Sequence, residues 1–202
     1  MMSLRKKAGF TLLETLVAVT IFTIAIGGPF FAASRALVST TDARNRLTAT
    51  YLAQEGIEYI QSMRNTTYLA DYLAGTSDLS NVSFNANFKS GSLPSSITTC
   101  YGGGDGTTLC ALDPTKPMGT TGAVCTSGSC ALALCGVSGG GPCPTLNLSS
   151  GEYTLDAGTA TSFVRTIQFY DIGYYVQVKV TVSWASHGQH SIVATDYLSP
   201  WQ

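Results

Sequence analysis

Residues 5–33 read RKKAGFTLLETLVAVTIFTIAIGGPFFAA. Three basic residues, Arg5, Lys6 and Lys7, precede the small pair Ala8 and Gly9; the 24 residues from Phe10 to Ala33 then carry one charge, Glu14. As a helix this run extends about 36 Å at 1.5 Å per residue, enough to cross a hydrocarbon core of about 30 Å. The cationic cluster orients it, with the N-terminus cytoplasmic, the lipid bilayer around the helix and the chain after Ala33 outside. Arg35 is a minor counter-signal beyond the apolar run.

A simple anchor does not explain Glu14. An acidic residue in an apolar helix costs roughly 2–3 kcal/mol on insertion scales, while each Leu, Ile, Val or Phe returns only about 0.3–0.6. A secretory signal peptide, cleaved near Ala32 and Ser34, is the rival reading and gives Glu14 no use either. Cutting between Gly9 and Phe10 does: the new α-amine of one subunit can pair with Glu14 of another inside a helix bundle, where an unpaired charge is strongly unfavourable.

The stretch Lys7 to Glu14, KAGFTLLE, resembles the N-terminal signature of type IV pilins and of the pseudopilins of type II secretion. That resemblance implies cleavage after Gly9 by a prepilin peptidase, methylation of the new N-terminus at Phe10, and an assembly role for Glu14. It also implies other pilins or pseudopilins and an inner-membrane assembly platform with its ATPase as partners. The precursor is then a single-pass inner-membrane protein, and the mature chain part of a periplasmic or extracellular filament.

The chain has 202 residues, so residues 1–9 form a leader, 10–33 the membrane or filament-core helix, 34–66 an amphipathic continuation and 67–202 an external head. Without Arg5, Lys6 and Lys7 the balance is 8 basic to 12 acidic residues, a mildly acidic protein with no basic face for nucleic acid. Low charge (11%) with six cysteines suits an external, loop-rich β domain in an oxidising compartment.

Along the helix, Gly27, Gly28 and Pro29 predict a kink or local melting, because proline removes a backbone donor. Ala49, Leu52, Ala53, Gly56, Ile57, Ile60 and Met63 form an apolar stripe at i, i+3, i+4 spacing that should pack on the head. Arg44, Arg46, Glu55, Glu58 and Arg64 read as its solvated or neighbour-facing side, and the helix is expected to end within a few residues of Asn65. Alternation at Val82, Phe84, Ala86 and Phe88 suggests one strand of unknown partner.

Residues 100–143 hold all six cysteines, Cys100, Cys110, Cys125, Cys130, Cys135 and Cys143, and 11 of the 21 glycines, with Tyr101 their one aromatic. The reading is a Cys/Gly-rich loop insertion held by disulfides, contributing almost nothing to the core and separable from it. Fifteen connectivities are open. A zinc site is disfavoured: there is no Cys-x-x-Cys and no histidine in the segment.

The C-terminal part is patterned as an antiparallel meander. Phe163, Arg165, Ile167 and Phe169 alternate, then Val176, Val178, Val180, Val182 and Trp184; after a turn at Ser186 to Gly188 comes Ile192 to Leu198. The Val/Trp face should lie on the helix stripe. Residues 51–64 and 180–201 resemble, less specifically, the helix end and closing strands of minor pilins and related pseudopilins. The fold class is therefore α+β, a long N-terminal helix, transmembrane then amphipathic, packed on an antiparallel sheet.

No catalytic constellation is present in this reading: His187 and His190 flank a hairpin turn without a third ligand, GGGDG at residues 102–106 opens no helix, and Asp105 and Asp113 lack calcium-loop spacing. No cofactor, metal or enzymatic activity is expected. The chain reads as a structural subunit, a minor or tip pilin. The alternatives are a pseudopilin of a secretion or DNA-uptake system, and a membrane-anchored adhesin whose Cys-rich loop binds a surface.

Overall fold

The computed structural model describes residues 11–73, 95–117, 130–136 and 141–199. Helix α1 (Leu12–Leu73) is 62 residues long. The chain divides into two compact units, the first ending at Asn45 and the second beginning at Arg46, so α1 contributes to both.

From Leu12 to Ala33 α1 carries one charge, Glu14, and its large side chains are exposed, among them Leu12, Ile21, Phe22, Ile24 and Phe30. It is long and apolar enough to cross a membrane, with a mean hydropathy of 2.1 over an 18-residue window, none of it buried. Its hydroxyls are compatible with that setting. Thr15, Thr20 and Thr23 donate to the carbonyls of Leu12, Val17 and Thr20 at 2.8–2.9 Å, and Ser34 donates to Phe30 at 3.0 Å. Back-bonded hydroxyls need no water.

Of the kink or local melting expected at Gly27, Gly28 and Pro29, the melting is not seen: the helix runs through all three without a break. Pro29 lacks only the hydrogen bond its nitrogen would donate four residues back, and bonds on either side carry the helix past it. Nor does α1 end near Asn65; it continues to Leu73. Asn and Thr at positions 65–67 are weak helix formers rather than terminators.

The second unit is the head. Besides its part of α1 it holds α2 (Ser95–Tyr101), β1 (Leu109–Leu112), β2 (Leu132–Cys135), β3 (Asn147–Ser149), β4 (Glu152–Thr154), β5 (Thr159–Ala160), β6 (Val164–Asp171), β7 (Val176–Ala185) and β8 (Gln189–Leu198). A five-stranded antiparallel sheet runs β2-β1-β6-β7-β8, and a small three-stranded sheet runs β4-β3-β5. The possible strand around Val82–Phe88 falls outside the described residues.

The meander follows the period-two pattern. Ile167 faces Val180 and Phe169 faces Val178 across β6 and β7; Val180 faces Ala194 and Val182 faces Ile192 across β7 and β8. Val176, Val178, Val180, Val182 and Trp184 are buried, and the residues between them are not. Alternation predicts this when a sheet covers a core on one side only. The helix stripe supplies the other half of that core: Ala49, Leu52, Ala53, Ile60 and Met63 are buried, and Ile57 packs against them half-buried. Gly56 sets how closely helix and sheet meet. A methyl placed there would lie 3.0 Å from Val180 Cγ1 and 3.3 Å from Leu112 Cδ2, a tighter approach than ordinary side-chain contact.

The Cys/Gly-rich segment corrects the sequence reading. It is not a separable loop: Tyr101, Cys110, Leu112, Ala131 and Leu132 all belong to the buried core, and β1 lies between β2 and β6 in the main sheet. Small residues conceal this role, because Ala and Cys bury fully while giving little hydrophobic signal. Disulfides join Cys100 to Cys110 and Cys135 to Cys143, with Cα–Cα distances of 5.8 and 4.8 Å. Cys130 is also disulfide-bonded, and Cys125 lies outside the described residues. The first bridge pins α2 to β1; the second pins the end of β2 to the chain leading into β3.

Candidate maturation and assembly site, and the head that carries it

Of the residues assigned to maturation, Arg5, Lys6, Lys7, Gly9 and Phe10 lie outside the described residues. Glu14 is described. It stands in the first turn of α1, where its backbone N–H donates to Thr11 Oγ1 at 3.3 Å, and the N–H of Thr15 donates to the Thr11 carbonyl at 3.2 Å. Thr11 is thus the N-cap and Glu14 the third helical residue, the spacing of a capping box. A carboxylate at this end also meets the positive pole of the helix dipole. Sequence reasoning missed this local role, although Thr-x-x-Glu before an apolar run was its signal. Capping does not require the surroundings that Glu14 has, however. Leu13, Leu16 and Val17 beside it are exposed and apolar, and no cation among the described residues pairs with it.

Within the head, two buried polar groups hold the elements together. Arg165, on the inward face of β6, is 0% exposed. Its Nη1 donates to Glu55 Oε2 at 2.5 Å and to the Leu52 carbonyl at 3.3 Å, and its Nε donates to the Leu112 carbonyl at 3.1 Å. One guanidinium thereby ties α1, β1 and β6. Burial pushes its pKa down, against the pull of the Glu55 carboxylate. Glu55, expected on the solvated side of the helix, instead reaches inward with about half its side chain (47%) still exposed. Arg64, expected to be solvated, likewise donates to the Ser199 carbonyl at 3.1 Å.

Asp113, just beyond β1, is the second node. Its carboxylate accepts from Thr115 N (3.1 Å), Thr115 Oγ1 (2.6 Å), Thr154 Oγ1 (2.8 Å) and Leu155 N (2.8 Å). Burial works to raise its pKa, but the four bonds together outweigh it and hold the carboxyl below its ordinary value. It joins the Cys-rich segment to the small sheet, with the Lys116 ammonium 3.9 Å from Oδ2. Asp105 likewise accepts from Thr107 N and Oγ1, at 2.9 and 2.7 Å. Among the described residues no group of three His, Cys, Asp or Glu is placed to hold a metal.

Tyrosines close the two ends of the segment. The Tyr59 hydroxyl donates to the Lys116 carbonyl at 3.0 Å; burial, with the nearby Asp113 charge, pushes its pKa up to about 12. The Tyr101 hydroxyl donates to Asp171 Oδ2 at 3.1 Å and is raised further, by burial and then by that carboxylate. Gly106 has φ +73° and an added methyl would lie 1.9 Å from the Tyr170 ring, so this turn admits only glycine. At the meander's turn His187 is exposed, whereas His190 stacks on Trp184 with ring centroids 5.5 Å apart.

Residues 4–28 match the family model described as the prokaryotic N-terminal methylation motif. No curated protein and no solved structure matches the chain. The match covers the junction Gly9–Phe10, the capped first turn with Glu14, and the apolar helix as far as Gly28. With a long N-terminal helix packed on an antiparallel sheet and a disulfide-bonded Cys-rich segment, the motif supports a type IV pilin-like protein. Such a motif points to a structural protein processed by prepilin peptidase and assembled with other pilins.

Proposed function

We propose that the chain is a minor or tip subunit of a type IV pilus-like filament. Prepilin peptidase removes residues 1–9 and methylates Phe10; α1 holds the precursor in the inner membrane and then packs against the helices of neighbouring pilins. The observation that carries this reading is Glu14, a carboxylate one turn into an uncovered apolar helix within a methylation motif. Pairing with the Phe10 amine of a neighbour accounts for its place and sets the axial register of the filament. The head supports a minor role through its Cys-rich segment, which enlarges the sheet beyond the meander and presents glycine-rich turns. A pseudopilin of a secretion or DNA-uptake system uses the same N-terminal chemistry. The adhesin reading needs only the anchor and leaves Glu14 without a partner.

The test is Glu14→Ala, which removes a costly charge from the apolar run. The variant is expected to reach the membrane at least as well as the parent, measured by fractionation, and to be missing from sheared filaments. Normal incorporation would refute the pairing.

A further inference from the structure

We propose that the outward face of the β6–β8 meander is a docking surface for a second copy of the chain, which presents to it the groove beside α1 that carries Glu58. The contact goes beyond the pilin reading and does not depend on it.

Alternation along β6, β7 and β8 turns every second side chain away from the core. On that outward side Tyr170, Gln177 and Tyr197 form one row across the three strands, and Gln168, Lys179 and Thr195 form the next. Gln177 Nε2 donates to the Tyr197 hydroxyl at 3.0 Å, which holds that ring in place. Outside α1, the large apolar side chains left exposed among the described residues are Leu148 and five of the meander and its turn: Ile172, Tyr174, Tyr175, Val193 and Tyr197. Exposed apolar residues scattered singly are ordinary, whereas a cluster marks a contact area, and tyrosine is among the residues enriched in such areas. Lys179 is the one charged side chain that the three strands turn outward, and it makes no ion pair among the described residues. Asp105, at the margin beside Tyr170, has its carboxylate engaged by Thr107. The partner that fits this face brings an acid set among apolar or aromatic groups.

The chain itself offers that complement. A groove of about 490 Å³ beside α1 has Tyr51, Glu55, Glu58 and Tyr153 in its lining and no cation. Glu55 is engaged by Arg165, but Glu58 is exposed and pairs with no cation among the described residues. A carboxylate beside tyrosine rings suits a lysine ammonium, which gains an ion pair and the face of a ring together. Because α1 covers the inner side of the sheet, its groove and the outward face belong to different sides of one head and meet only between copies. A contact between two different surfaces leaves one of each unused at the ends, so it repeats into a ring or an open row instead of stopping at a closed dimer.

The test follows the full chain in detergent micelles by analytical ultracentrifugation at rising protein concentration. The parent is expected to self-associate beyond the dimer, and less so at high salt, since the charges lie at the surface. Lys179→Glu and Glu58→Lys each set like charges against one another and should weaken association about tenfold or more. The double variant Lys179→Glu/Glu58→Lys restores opposite charges with the sides exchanged and should recover most of the loss. That recovery also requires both substitutions to leave the fold intact, which thermal unfolding checks separately. Association equal in all four proteins would come from the apolar part of α1 and would overturn the contact, as would a double variant no stronger than either single one. A parent that stays at one chain per micelle would overturn the second copy as the occupant.

Discussion

Replacing Glu55 by Gln tests how the helix is fastened to the sheet. The substitution keeps the size of the side chain and removes its charge, leaving a guanidinium that is 0% exposed with neutral acceptors alone, the Gln amide oxygen and the Leu52 and Leu112 carbonyls. Its Nη2 has no partner even in the parent. Breaking a fully buried pair costs about 3–5 kcal/mol, but the Glu55 side chain is 47% exposed, so water screens part of the interaction and about 1–3 kcal/mol is expected. For a domain of this size 1 kcal/mol moves Tm by about 2–4 °C, so Glu55→Gln should lower Tm by roughly 2–12 °C. Arg165→Met removes the cation itself and fills its space with an apolar chain of similar length. Replacing a buried ion this way is often neutral or stabilising, so the double variant Glu55→Gln/Arg165→Met should recover most of the loss. Thermal unfolding of the mature chain in micelles, followed by near-UV circular dichroism, reads all four proteins. A neutral Glu55→Gln, or a double variant no more stable than Glu55→Gln alone, would refute the argument.

Further outcomes follow from the head. Asp113→Asn presents an amide to donors that now meet a carboxylate and should cost about 2–4 kcal/mol in urea unfolding; a change under 0.5 kcal/mol would contradict the four-bond geometry. Because the folded Asp113 pKa lies below the unfolded value of about 3.9, its contribution is present above that value and is lost as pH falls through the lower folded one. Tyr59 has the opposite sign. Its pKa rises from 10.0 to about 12 on folding, so its contribution is full below pH 10 and disappears as pH climbs to about 12; Tyr59→Phe should flatten that alkaline fall. Leu112→Ala should cost about 2–5 kcal/mol as a core truncation, and exchanging residues 100–143 for a short Gly/Ser linker should abolish cooperative unfolding rather than spare it. Peptide mapping should find Cys100–Cys110 and Cys135–Cys143.

The parts legible in the sequence were those where burial follows a simple period. Val176 to Trp184 alternates because one face of β7 covers the core, and Ala49 to Met63 repeats at helical spacing because one stripe of α1 lies on it. The Cys-rich segment was misread because its core residues are Cys, Ala and single Leu residues between glycines, and β1 is only four residues long. Its burial depends on β6 lying alongside it, a pairing across more than 50 positions that no local pattern announces. The same holds for polar groups. Arg165 sits in an alternating strand at an apolar position, which signals a buried charge, but Glu55 as its partner emerges only when α1 packs across β6. Asp113 gives little local sign of its role, since two of its donors, Thr154 and Leu155, lie 41 and 42 positions further along the chain. At the N-terminus the motif was fully legible, since its chemistry is written in consecutive residues.

The central claim is that the chain is cut and modified within that motif. Intact-mass and N-terminal peptide analysis of the mature protein measures it directly: the account predicts a chain beginning at Phe10 and carrying one added methyl on its amine. A terminus at Met1, or one created near Arg35, would contradict it.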